Sequence, residues 1–154
     1  MKRVHSIGKP LHGQRGVVLI LFALLLVILL GLAAFAIDAA RINLTKIELQ
    51  NAADAAALAG VRKYSTSDST AAKNEAIHLA TRNYANGSLI DASSVTATAA
   101  SVTGYTYAIK VRILLSGIPL FFAPVFGISS RDVSATATAV QSTTPTTHSI
   151  LVSK

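Results

Sequence analysis

The pattern of hydrophobic and polar positions changes twice along the chain, and the first part predicts a membrane-spanning helix. Residues 17–37 form an uninterrupted apolar run that contains no charged residue. At 1.5 Å per residue, a helix of this length covers about 31 Å, which is close to the thickness of the hydrocarbon core of a bilayer. We therefore predict a transmembrane helix over residues 16–37, preceded by a short basic arm at residues 1–15.

Helical periodicity continues past the apolar run, because no proline interrupts the chain before residue 63. We predict a stalk helix over residues 38–63 that continues the transmembrane helix without a break and carries two apolar strips. The first strip consists of Ile37, Ala40, Leu44, Ile47, Ala55 and Leu58, interrupted by Asn51, and the second consists of Ile42, Leu49, Ala52, Ala53, Ala56 and Gly60. Two strips indicate two packing partners, for which the candidates are the chain's own C-terminal domain and a neighbouring subunit. The alternative is an exposed helix that its alanines stabilise by helix propensity alone.

After the stalk, the pattern predicts a small exported α+β domain over residues 64–141. Ser67, Asp68 or Ser69 is suited to cap a short helix over residues 70–85, which Asn86-Gly87 would end. The period then changes to 2, which is typical of strands with one buried face. The alternating runs are residues 95–99, 105–113 and 132–140. The predicted fold class is therefore α+β, with a long helix, a short helix and a small three-stranded antiparallel sheet.

Two segments of this domain do not follow either period. Residues 115–128 are apolar but contain two prolines and two glycines. We interpret them as a hydrophobic connection with a short helical turn, which covers either the core or the membrane surface. Residues 142–154 contain few apolar residues and are predicted to form a loose tail.

The charges indicate how the chain is oriented in the membrane. The net charge is +7, and four basic residues but no acidic residue precede the apolar run. By the positive-inside rule, the N-terminus stays in the cytoplasm and the domain is exported, with the lipid bilayer as the first partner. The basic arm has no aromatic residue that would stack on a base, so we do not expect nucleic acid as a partner. A cleaved signal peptide with its site at Ala34-Phe35-Ala36 is the alternative, although the apolar run exceeds the usual length of such segments.

No catalytic or cofactor-binding pattern stands out. The chain contains no cysteine, and its four histidines are scattered. We found no metal, phosphate-loop or nucleophile motif, so we expect neither an enzyme nor a bound cofactor or metal.

The candidate functional residues instead form a helix-packing interface on the stalk. Ala52, Ala56 and Gly60 have the small-xxx-small spacing that permits two helices to approach closely. The polar pair Gln50 and Asp54 lies one turn apart and is suited to fix the register between packed elements. Asp38 follows the apolar run directly, where it marks the water interface, pairs with Arg41 one turn on, or contacts another subunit. The predicted interface comprises Asp38, Leu49, Gln50, Ala52, Asp54, Ala56 and Gly60.

Part of this sequence resembles a known family. Gln14-Arg15-Gly16, the apolar run, Asp38 and the segment LQNAADAAALAG at residues 49–60 resemble the N-terminal part of the TadE/TadG-like proteins of the tight-adherence (Tad) machinery, which builds Flp pili. The resemblance implies a pseudopilin-like protein of the bacterial inner membrane with a periplasmic domain. It also implies other Tad pilus-assembly proteins as partners, and homo- or hetero-oligomers formed through the stalk. A weaker resemblance covers residues 118–128 and 133–139.

The chain departs from its wider relatives in two ways. Type IV prepilins carry a glutamate five residues after the processing glycine, and counted from Gly16 that position is Leu21. The larger TadG proteins carry a von Willebrand factor A-like domain that this chain is too short to contain. Two alternative functions stay open: an exported binding module that captures a ligand through residues 105–128, and a secreted protein released by cleavage after Ala36.

Overall fold

The long helix is continuous, as the sequence predicts. The computed structural model describes residues 14–64, 68–142 and 150–153, so most of the predicted basic arm lies outside the described residues. Helix α1 covers Gln14–Lys63 and includes both the apolar run and the stalk. The side chains of the apolar run are exposed, except for half-buried Ala34, and none of them belongs to the core.

The predicted order of elements in the α+β domain is confirmed. Helix α2 is followed by a two-stranded hairpin and by an antiparallel sheet whose strand order is the order in the chain. The elements are α2 (Ser69–Ala80), β1 (Tyr84–Ala85), β2 (Ser88–Leu89), β3 (Val95–Ala99), β4 (Tyr107–Pro119), β5 (Ser130–Gln141) and β6 (Ile150–Ser153). Asp68 caps α2, because its Oδ1 accepts hydrogen bonds from the backbone N–H groups of Thr70 and Ala71, each at 2.9 Å.

One face of the sheet forms the core together with the two helices. The buried side chains alternate along β4 and β5, so that Ile109, Val111 and Ile113 lie on the same face as Ala135 and Ala137. This face packs against α1 and α2. The opposite face carries polar and basic side chains, which is the alternation that the sequence predicts.

The fold differs from the predicted one at four points. Strand β6 pairs with residues 138–141 of β5 and adds a fourth strand from the segment predicted to be a loose tail, of which residues 143–149 lie outside the described residues. Helix α2 ends at Ala80 and not near residue 85. Asn86 and Gly87, with φ of 53° and 80°, do not end that helix but form the turn between β1 and β2, since a two-residue hairpin turn of this type needs two positive φ angles. Strand β4 extends to Pro119, with an irregularity between Leu115 and Ile118.

Candidate interaction site at the base of the stalk

The small-residue strip of the stalk packs against the chain's own domain. Leu49, Ala52, Ala53, Ala56 and Gly60 are all buried. A Cβ atom placed on Gly60 would lie 2.9 Å from the carbonyl oxygen of Ala72 and 3.0 Å from the Cβ of Ala76. The glycine therefore allows α1 and α2 to approach more closely than any other residue would. The sequence allowed three possibilities for this strip: packing on the chain's own C-terminal domain, packing on another subunit, or exposure. In the structure the strip packs on the C-terminal domain.

The polar pair of the stalk also makes its contact inside the chain. Gln50 Nε2 donates to Asp54 Oδ1 at 2.9 Å and to the carbonyl oxygen of Thr136 in β5 at 3.3 Å. One turn earlier, Lys46 Nζ donates to the carbonyl oxygen of Ser134. Strand β6 covers β5 only from residue 138 onward, so these donors satisfy carbonyl groups on the part of the β5 edge that β6 does not pair. The stalk thereby fixes its own register on the sheet and covers an edge that would otherwise be open to another strand.

We expect the double variant Lys46→Ala/Gln50→Ala to open this edge. The loss of the Gln50 bond should cost about 1 kcal/mol of folding stability. The larger effect should be concentration-dependent association, because an unpaired strand edge is a template for another chain. Size-exclusion chromatography in detergent measures it. The control is Asn43→Ala/Lys63→Ala, which removes an amide and an ammonium group from exposed positions of the same helix. Equal elution of both double variants would contradict the prediction.

Asp38 joins α1 to the loop between β4 and β5. Its side chain is only 4% exposed. Oδ1 accepts a hydrogen bond from the backbone N–H of Phe121 at 2.8 Å, and Oδ2 accepts from those of Phe122 at 3.0 Å and Ala123 at 2.8 Å. Burial by itself would raise the pKa of Asp38, but these three N–H groups and the charge of Arg41 outweigh it and hold the pKa below its ordinary value. Asp38 therefore stays ionised at neutral pH and acts as an acceptor for three backbone groups.

Arg41 and Glu48 extend this connection along the stalk. The guanidinium of Arg41 lies over the ring of Phe121, 4.5 Å from its centroid, and Nη2 donates to Asn86 Oδ1 at 3.1 Å. Glu48 Oε2 accepts from the backbone N–H of Asn86 at 2.8 Å. The turn between β1 and β2 and the loop between β4 and β5 are thus both hydrogen-bonded to α1. We call Asp38, Arg41, Phe121, Phe122 and Ala123 the helix–loop junction.

Sequence reasoning placed these residues without finding this role. Asp38 was expected at the water interface, and it does lie at the end of the apolar run. From the sequence, Arg41 is expected only to pair with Asp38, and no contact is predicted for Glu48. The partners of Asp38 are 83 to 85 residues away in the chain, so no local spacing reveals them.

The first apolar strip is left largely uncovered. Ile37, Leu44 and Ile47 are 51%, 57% and 58% exposed, and Ala40 and Asn51 are also exposed. Ala55 and Leu58, nearer the end of the stalk, are half-buried. We call the residues Ile37, Ala40, Leu44, Ile47 and Asn51 the exposed stripe. It begins where the apolar run ends, and no described residue of this chain packs over it sufficiently to bury it.

Among the described residues, no group of three or more histidine, cysteine, aspartate or glutamate side chains lies close enough together to hold a metal ion.

One described helix, α1, is long and apolar enough to cross a membrane, and its most apolar window is entirely unburied. A signal sequence near the N-terminus meets the same criteria of length and composition.

These features define a class of protein: a small α+β domain joined at its base to a single N-terminal helix of membrane-spanning length and composition. Residues 16–63, about a third of the chain, match the family model described as "Putative Flp pilus-assembly TadE/G-like". The match confirms the predicted resemblance of this segment to the TadE/TadG-like proteins of Tad pilus assembly. Searches of curated proteins and of solved structures found no match.

The family match and the membrane-length helix together support a part in Tad pilus assembly. They suggest other components of that assembly as partners. The matched segment contains the apolar run, the helical side of the helix–loop junction, the exposed stripe and the strip packed against α2.

Proposed function

We propose that the protein is a membrane-anchored, pseudopilin-like structural component of Flp (Tad) pilus assembly or of its secretion apparatus. Its N-terminus lies in the cytoplasm, α1 crosses the inner membrane once, and the α+β domain lies in the periplasm. It acts by packing its stalk against a helix of another subunit and not by catalysis. The family match, the apolar run and the basic residues that precede it support this proposal.

The observation that carries the proposal is the exposed stripe. Its positions are spaced alternately by three and four residues, which is the spacing of a helix–helix seam. Ile37, Leu44 and Asn51 are each separated by one heptad. A single asparagine in such a seam specifies register and partner at some cost in stability. An apolar stripe that starts at the membrane and remains uncovered in water requires a partner, and a second helix leaving the same membrane fits its shape.

The small-residue strip, which contains Ala56, is not available to contact another subunit. A bulky charged residue in place of Ala56 would unfold the domain, because that side chain is fully buried. Loss of pilus assembly in an Ala56 variant would therefore report a folding defect and not a lost contact between subunits. The test has to use side chains that the fold leaves exposed.

We expect Leu44→Lys and Ile47→Lys to abolish pilus assembly and the recovery of partner proteins on purification. Each places a charge in the seam and should weaken binding by about tenfold or more. Thermal unfolding of the domain should stay unchanged, because both side chains are exposed in this chain. Ser88→Lys, which adds the same charge at an exposed position of the hairpin, is the matched control. If both stripe variants assemble pili as the control does, the stripe is not the contact surface.

The continuity of α1 also bears on the alternative of a cleaved signal peptide. Ala34, Phe35 and Ala36 lie in the middle of a helix that extends from Gln14 to Lys63. We propose that the protein is retained as an anchored chain, with no secreted soluble form. N-terminal sequencing of the mature protein tests this, and a chain that starts at Ile37 and is free in the periplasm would contradict it.

A further inference from the structure

The loop between β4 and β5 presents an unusual apolar surface. Residues 120–128, which we call the apolar loop, include Phe121, Val125 and Phe126, whose side chains are 65%, 84% and 77% exposed. No charged residue occurs between Arg112 and Arg131. These apolar side chains are contiguous and exposed at the tip of a hairpin. They belong neither to the core of the domain nor to the exposed stripe, so their exposure needs another explanation.

The apolar loop lies beside the membrane-spanning part of α1. An apolar groove separates the two, and its walls come from both elements. The helix contributes Val27, Ile28, Gly31, Leu32, Ala34 and Phe35, and the loop contributes Phe122, Ala123, Val125 and Phe126. From Val27 to Asp38 the helix advances about 16 Å. Because the helical wall belongs to the segment predicted to lie in hydrocarbon, the loop reaches the same environment.

Most backbone N–H groups of the loop have a partner within the protein. In hydrocarbon, every backbone polar group needs such a partner. The N–H of Leu120 donates to the carbonyl oxygen of Ser129 at 3.0 Å, and that of Ile128 donates to Ala123 at 3.2 Å. Pro124 has no N–H to satisfy.

Two further amides of the loop are also bonded. Those of Val125 and Gly127 donate to carbonyl oxygens within the loop, at 3.2 and 3.0 Å. Asp38 accepts the three amides of residues 121–123. The helix–loop junction therefore satisfies three backbone N–H groups that would otherwise favour a position in water.

We propose that the apolar loop inserts into the periplasmic leaflet of the bilayer that α1 crosses, and that lipid acyl chains fill the groove between the loop and α1. Arg41 and Arg131, on the polar side of the loop, then lie at the level of the headgroups, where basic side chains are favourable. The domain is attached to the membrane at two places, the helix and the loop. This holds the domain in one orientation and points the exposed stripe in a defined direction. The inference rests on the membrane anchoring of the proposed function.

A tryptophan reporter tests the insertion. The chain contains no tryptophan, so Phe126→Trp or Val125→Trp introduces a single one at an exposed side chain that can change without disturbing the core. The full-length variants are reconstituted in vesicles of phosphatidylcholine and phosphatidylglycerol whose acyl chains carry bromine. Leu24→Trp, in the apolar run, is the reference for hydrocarbon, and Tyr84→Trp, at a 65% exposed side chain of the hairpin, is the reference for water.

We expect both loop reporters to emit at short wavelength and to lose most of their emission in brominated vesicles, as Leu24→Trp does. Tyr84→Trp should instead be quenched by acrylamide. Loop reporters that behave as Tyr84→Trp while Leu24→Trp is quenched by bromine would overturn the insertion and leave the membrane span intact. Loop reporters shielded from both quenchers would place a protein in the groove and also overturn it. An unquenched Leu24→Trp would contradict the span itself, and with it the proposed function.

Discussion

Replacing Gly60 by leucine is expected to lower the free energy of unfolding of the α+β domain by about 3 kcal/mol. A Cβ alone would already lie 2.9 Å from the Ala72 carbonyl oxygen and 3.2 Å from Cγ2 of Ile109. The first contact is with backbone, so relief requires α2 to move away from α1. The gain in helix propensity on replacing glycine, about 1 kcal/mol, does not compensate for that movement.

Urea unfolding in detergent micelles measures this effect. The rings of Tyr64 and Tyr107 pack edge to face with centroids 4.8 Å apart, so near-ultraviolet circular dichroism reports the same region. Gly31→Leu is the matched control, since nothing lies within 4 Å of a Cβ at that position. If Gly60→Leu unfolds as the unmodified protein does and yet prevents pilus assembly, the small-residue strip serves another subunit, and the packing described above is wrong.

Replacing Asp38 by alanine is expected to detach the apolar loop from the stalk. Three backbone N–H groups lose their acceptor at once, and Arg41 loses the carboxylate beside it. Hydrogen exchange at Phe121, Phe122 and Ala123 should accelerate by about tenfold or more, because local opening then exposes these amides. Asp38→Asn keeps the shape but only one acceptor oxygen, so an intermediate effect is expected.

The control for this variant is Asp91→Ala. Asp91 also accepts a backbone hydrogen bond, from Ser93 at 2.8 Å, but it does so locally and away from the stalk. Its loss should leave exchange at residues 121–123 unchanged. Equal exchange in the Asp38 and Asp91 variants would show that the helix–loop junction does not hold the loop.

The same carboxylate should make the attachment of the loop sensitive to acid. The pKa of Asp38 is lower in the folded chain than the ordinary value near 3.9. Its contribution to stability is therefore fully present above the unfolded-state pKa, and it is lost as the pH falls through the lower, folded-state pKa. Thermal unfolding between pH 6 and pH 3 should show an acid-dependent component that Asp38→Asn lacks. No difference between the two proteins in this range would contradict the assignment.

The exposed stripe and the small-residue strip show what helical periodicity predicts and what it does not. Both strips are visible in the sequence, because side chains three and four residues apart share a face of any helix. Their partners are not visible in it. The strip with Ala52, Ala56 and Gly60 faces the chain's own α2 and sheet, and the strip with Leu44 and Ile47 does not. Which strip is buried depends on where residues 69–141 fold back.

Some boundaries of the helices and strands can likewise be predicted from the sequence, and others cannot. Strand β3 and the alternating parts of β4 and β5 follow from local alternation, and the span follows from an apolar run long enough to cross a bilayer. The end of α2 was misplaced because Asn86-Gly87 suits both the end of a helix and a hairpin turn. Strand β6 was missed because four residues paired at a sheet edge leave little local signal.

The sequence by itself determined that this chain has one long helix, which begins with an apolar run and continues beyond it without a break. It also determined that an antiparallel sheet with one buried face follows. These properties depend on neighbouring residues, whose periodicity is set by backbone geometry. Only the tertiary structure decided that Asp38 bonds to residues 121–123, that Gln50 bonds to β5 and that Arg41 bonds to Asn86. Those contacts join residues separated by 45 to 86 positions, and they form because buried or edge polar groups need partners that the folding of the whole domain brings near.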